Sequence, residues 1–137
     1  MASGATLATL FSACGGSPTS PSGTASMLGV VPGQFTGPGV QVAVAGSALA
    51  DPGGAVLVES NAGVFLLART SANGFSAVDA ICSHESCTIT GADGAAYVCP
   101  CHGSRYNRAG QVMAGPAKAS LRQFSTSFTD GVVTIAL

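Results

Sequence analysis

Four of the five cysteines and both histidines of this chain fall between positions 82 and 102. They form two stretches, Cys82-Ser83-His84-Glu85-Ser86-Cys87 and Cys99-Pro100-Cys101-His102. Thiolate and imidazole are the side chains that hold zinc or iron. Each stretch offers one of each, Cys82 with His84 and Cys99 with His102. In an extended segment residues i and i+2 point to the same side, so Cys82 and His84 can face one centre. Each stretch also follows a β-rich run, Phe75–Ile81 before the first and Ala95–Val98 before the second. Two loops at neighbouring strand ends can close like fingers around a small cofactor.

Three occupants suit two thiolates and two imidazoles. Zinc accepts such a set tetrahedrally, although zinc fingers pair Cys with Cys and His with His at wider spacing. A structural zinc also leaves Cys87 and Cys101 without a role. A redox dithiol needs no histidines. A [2Fe–2S] cluster with two cysteines on one iron and two histidines on the other takes the mixed pairs directly.

Cys82-x-His84 followed by Cys99-x-x-His102 resembles the Rieske iron–sulfur signature. The likeness extends through CSHESC and CPCHGSRY to Gly115-Pro116-Ala117, and covers roughly residues 40–137. It implies one [2Fe–2S] cluster of Rieske type held by Cys82, His84, Cys99 and His102. It also implies an all-β fold, an antiparallel β-sandwich with a small cluster-binding subdomain of two loops. In the cytochrome bc and arsenite-oxidase branches, which this chain resembles, two further cysteines join the loops by a disulfide. Here those positions are Cys87 and Cys101. Such a bond is worth on the order of 3 kcal/mol in the chain-entropy model, and it needs an oxidising compartment.

Two ferric ions, two sulfides and two thiolates sum to zero charge, so neutral imidazoles make electron uptake easier than in an all-cysteine cluster. Rieske centres accordingly span about −150 to +300 mV. In the high-potential members, a serine and a tyrosine placed as Ser104 and Tyr106 are donate hydrogen bonds to a bridging sulfide and to a ligand sulfur. By position that sulfur belongs to Cys82. Each ligand imidazole keeps a free nitrogen, so His84 and His102 are candidate proton or quinol contacts. Two features depart from the quinol-oxidising pattern. Glu85-Ser86 replace an apolar leucine and a glycine, and no anchoring transmembrane segment is recognisable. Arg105 and Arg108 are cations close enough to offset Glu85 or to form a docking rim.

The resemblance and the export signals together imply a one-electron carrier of high potential. Its expected place is lipid-anchored, on the outer face of the cytoplasmic membrane or in the periplasm. It would pass electrons between quinol or an enzyme partner and a cytochrome or copper protein. An alternative is the Rieske subunit of a quinol–cytochrome c reductase, with cytochrome b as partner; a remoter one is a structural zinc domain. The resemblance thus implies an electron-transfer protein or a redox subunit of an oxidoreductase.

The elements that must position these residues read as strands. Charged residues are 8% of the chain and the net charge is −1, so nothing basic invites nucleic acid. After residue 28 no segment keeps helical apolar spacing for three turns. Strands are predicted over Val40–Ala45, Ala55–Glu59, Val64–Ala68, Phe75–Ile81 and Ala95–Cys99, then Gln111–Met113, Leu121–Thr129 and Val132–Leu137. Between them, Asn73-Gly74, Asp93-Gly94 and Asp130-Gly131 supply the positive φ of tight hairpin turns.

Residues 1–14 read as a signal-like segment. An apolar run over 5–13 ends at Phe11-Ser12-Ala13-Cys14, which resembles a bacterial lipoprotein box with Cys14 as the lipidated residue. A signal needs a positive start, yet the first basic residue is Arg69, so the true beginning is expected upstream. Residues 15–27, rich in Gly, Ser, Pro and Thr, read as a tether. The Rieske domain is expected over 28–137.

Overall fold

The computed structural model describes residues 25–83 and 86–137. His84, Glu85 and the whole lipoprotein-like segment with Cys14 lie outside the described residues. The regular structure of the described residues is nearly all strand. In order these are β1 (Ser26–Met27), β2 (Gly29–Pro32), β3 (Gln34–Phe35), β4 (Gly39–Ala43), β5 (Ala55–Ser60), β6 (Gly63–Arg69) and β7 (Phe75–Asp79). There follow β8 (Gly91–Asp93), β9 (Ala96–Val98), β10 (Arg105–Tyr106), β11 (Val112–Ala114), β12 (Gln123–Phe124), β13 (Thr126–Thr129) and β14 (Val132–Ala136). Among the described residues one 3₁₀ turn, Ala48–Ala50, interrupts them.

The strands make three sheets: β12-β7-β6-β5-β2, β13-β14-β4-β3, and β1-β8-β9-β10-β11. Pairing is antiparallel except for β2 on β5, where Gly29–Pro32 runs parallel to Val56–Glu59. The β12–β2 sheet is the middle layer, and its side chains explain why. Along β5 and β6 the runs Ala55–Val58 and Phe65–Ala68 are buried without a break. Alternate residues of a strand face opposite sides, so an unbroken apolar run means that both faces are covered. Val56, Val58, Phe65 and Leu67 join Val40, Val42, Val133 and Ile135 in one core. Ala55, Leu57, Leu66 and Ala68 join Tyr97, Tyr106, Cys82 and Cys99 in the other. The cluster-type loops therefore grow from a sheet clamped on a fully buried platform.

Turn chemistry does what the sequence predicts at Asp130-Gly131, where φ is 51° and 77° and β13 folds straight back on β14. Other expectations shift. The run over Leu121–Thr129 divides at Ser125 into β12 and β13, which belong to different sheets, so the chain changes layer there. The strand from Phe75 ends at Asp79, whose carboxylate accepts from Ile81 N–H at 3.0 Å and turns the backbone out of the ladder. β8 and β10 were not anticipated; they exist because each has β9 beside it.

Candidate metal centre

The first loop leaves β7 as a narrow ladder. Ile89 N–H donates to Ala80 O at 2.7 Å, Ile81 bridges Thr88, and Cys82 N–H donates to Cys87 O at 2.8 Å. Cys82 and Cys87 thus stand opposite each other at the base of a short tip. The second loop joins β9 to β10. Cys99 N–H donates to Ser104 O and Gly103 N–H donates to Cys99 O, both at 2.9 Å. Gly103 closes this turn with φ of 78°, a conformation that L side chains resist.

A disulfide joins Cys87 to Cys101, with Cα atoms 6.5 Å apart, and so ties one loop tip to the other. Cys82 and Cys99 stay outside it, 4% and 1% exposed. Burial pushes the Cys99 thiol up, and Cys82 beside it adds to the shift, while the N–H groups of Cys101 and His102 pull it down. Two buried neighbouring sulfurs resist becoming thiolates together unless a cation sits with them. A cation between them would remove that resistance, so the donor set fits a metal centre.

Around the sulfurs the packing is polar in a few chosen places. Tyr106, fully buried, puts its hydroxyl 3.2 Å from Cys82 Sγ. Burial raises the Tyr106 phenol above its ordinary 10, and the Cys82 sulfur adds to that, so the group is a neutral donor. Ser104, also fully buried, accepts from Ala117 N–H at 3.0 Å. Accepting there leaves its own proton for a second partner. A third segment thus reaches the site: Gly115–Pro116, joined by a cis peptide, leads to Ala117 and Ala119.

Sequence reasoning thus finds Cys82, Cys99, Ser104 and Tyr106 gathered, and Cys87 bonded to Cys101. His102 is exposed on the second loop, and His84 lies outside the described residues. Among the described residues no three Cys, His, Asp or Glu side chains come together as a metal site. Arg105 pairs with Asp93 of β8. Arg108 donates to Gly94 O at 2.8 Å and stacks 4.5 Å over the Tyr97 ring. Both arginines thus brace the loop-bearing sheet. Ser83 was missed: it reads only as the spacer between Cys82 and His84, yet its hydroxyl reaches both Tyr106 and Ala119 O.

Residues 40–125, more than half of the chain, match the Rieske [2Fe-2S] domain. The chain belongs to the Rieske [2Fe-2S] domain family. Its cofactor is one [2Fe–2S] cluster. Among curated proteins this Rieske domain is similar to the cytochrome b6-f complex iron-sulfur subunit of Prochlorococcus marinus, 42% identical over 60 residues. It is 34% identical over 62 residues to the same subunit from Chlorobaculum tepidum. These matches cover 43% and 44% of this chain and 34% of each relative, so the chain aligns with about a third of their length. The crystal structure of the cyanobacterial plasma membrane Rieske protein from Synechocystis PCC 6803 has the same fold. It matches with a TM-score of 0.55 at 24% identity, covering 61% of this chain and 86% of that one.

Proposed function

We propose that Cys82, His84, Cys99 and His102 hold the cluster and that the protein is a one-electron carrier of high potential. The observation that carries this reading is the hydroxyl of the buried Tyr106 3.2 Å from the Sγ of the buried Cys82. When bound, the cluster takes up and releases single electrons. Tyr106 would donate a hydrogen bond to the Cys82 sulfur and Ser104 has a proton to donate towards a bound cluster, and both would favour its more negative, reduced state. The disulfide ties the two loops that would hold the cluster to each other. His102, exposed at the second loop, is open to a partner protein or to a quinol hydroxyl.

The partner proposed is a cytochrome or copper protein. That two relatives are subunits of cytochrome b6-f complexes favours a second reading, a Rieske subunit of a quinol-oxidising cytochrome complex with cytochrome b beside it. Among the described residues no helix is long and apolar enough to cross a membrane. Attachment is assigned to a lipid on Cys14, with the Gly/Ser/Pro/Thr-rich stretch after it as the tether. The sequence boundary at 28 moves back to Ser26, because Ser26–Met27 form β1 on β8 and so belong to the Rieske domain. The disulfide supports export to the periplasm or the outer face of the cytoplasmic membrane.

Purified protein should contain iron and sulfide rather than zinc. It should also show the visible bands and axial EPR signal of a reduced Rieske cluster, and titrate as a single electron. Zinc without those signals would overturn the carrier reading. Quinol oxidation reconstituted with a cytochrome b partner would move the assignment to the second reading.

A further inference from the structure

The contacts of Ser83 divide a single proton between two acceptors. Ser83 Oγ lies 2.6 Å from Ala119 O and 3.1 Å from the Tyr106 hydroxyl. A carbonyl oxygen only accepts, so the Ser83 proton goes to Ala119. Towards Tyr106, Ser83 Oγ then offers only a lone pair. The Tyr106 oxygen meanwhile accepts from Ser83 N–H at 3.2 Å. The phenol is left with one proton and two acceptors, Cys82 Sγ at 3.2 Å and Ser83 Oγ at 3.1 Å.

The two acceptors are closely matched. The oxygen contact is longer than the roughly 2.7–2.8 Å usual for O–H···O, which weakens it. A ligand thiolate carries negative charge, and charge-assisted hydrogen bonds are about twice as strong as neutral ones. A sulfur made more negative by reduction of a bound cluster would draw the proton more strongly. Whatever bond the phenol gives up to Ser83 is subtracted from the stabilisation of the reduced state.

We propose that Ser83 is a positioning residue that holds the potential down by competing with Cys82 for the Tyr106 proton. This rests on the reading that Cys82 is a cluster ligand tuned by Tyr106. Removing the competing oxygen, as in Ser83→Ala, raises the potential, the reverse of what removing the phenol does. The backbone N–H of Ser83 survives the substitution and continues to polarise the phenol.

The test is a redox titration of the cluster-loaded full chain as wild type, Ser83→Ala, Tyr106→Phe and the double variant, with EPR as a check on the cluster. Ser83→Ala should raise the equilibrium constant for reduction about two- to threefold, ~20–30 mV at 59 mV per tenfold for one electron. In the Tyr106→Phe background the same change should do nothing. An unchanged or lowered midpoint for Ser83→Ala, or an equal shift in both backgrounds, overturns the competition. A Tyr106→Phe variant with wild-type midpoint would instead overturn the tuning role on which it rests. The isosteric pair Ser83→Thr and Ser83→Val repeats the comparison at one shape should Ser83→Ala fail to load. A higher midpoint for Val supports the proposal, and equal midpoints reject it.

Discussion

Tyr106→Phe removes one oxygen from a fully buried side chain and leaves the ring that packs beside Cys82 and Tyr97 in the loop-side core. The contacts to Ser83 N–H and Oγ go with it, but the lost contact that reaches a ligand is the 3.2 Å hydrogen bond to Cys82 Sγ. A hydrogen bond to a charged group contributes about 1.5–3 kcal/mol. Only the difference between oxidation states moves the potential, because the sulfur is negative in both. If a third to a half of the bond strength depends on the added electron, the difference is about 1 kcal/mol. At 59 mV per tenfold that lowers the midpoint by ~40 mV. Voltammetry or potentiometry on the loaded protein reads this shift, with the EPR line shape showing that the cluster is intact. Because burial raises the phenol above its ordinary 10, it stays protonated through neutral and mildly alkaline pH. The offset between wild type and variant should therefore be constant from pH 6 to about 9, well below the phenol's titration. A midpoint unchanged within a few millivolts, or an offset that disappears as pH rises through that range, would refute the reasoning.

Replacing Cys87 and Cys101 by serine opens a bond of sequence separation 14. It should cost on the order of 3 kcal/mol in denaturant titrations and speed cluster loss; an unchanged unfolding midpoint and loss rate would count against the clamp. Tyr97 is fully buried, its hydroxyl has no hydrogen-bond partner of normal geometry, and burial pushes it up to about 12 against the pull of Arg108. A raised phenol favours the folded state below pH 10, and that stability is lost between pH 10 and 12, where the unfolded chain ionises first. Tyr97→Phe should leave neutral-pH stability within about 1 kcal/mol of wild type and flatten the alkaline loss, which pH-dependent unfolding curves will show. If Cys14 carries a lipid, Cys14→Ser should move the protein from the membrane to the soluble fraction on cell fractionation, and unaltered fractionation would dismiss the anchor.

The site was legible in the sequence to the extent that its chemistry is local. Cys82 and Cys99 are scarce residue types at short spacings on two loops, and the strands beside them announce themselves by β-rich runs and turn pairs. The middle strands are of the same kind: Ala55–Val58 and Phe65–Ala68 are apolar throughout, which marks a strand without saying what covers either face. Ser26–Met27 and Arg105–Tyr106 carry no such mark. Two residues become a strand only when a neighbour supplies the ladder, and β8 and β9 do so.

By itself, then, the sequence determined the family, the donor types and an all-β chain. These depend on residue identity and on spacings of a few positions. Only the tertiary structure decided that one loop crosses from the middle sheet to a third and the other lies within that third sheet, that Arg105 and Arg108 brace it, and that Ser83 contends for the Tyr106 proton. Ser83 meets Tyr106 and Ala119 across 23 and 36 residues of chain. A hydroxyl's partner is set within a few tenths of an ångström, and no local pattern encodes a distance that three separate segments must fold together to create.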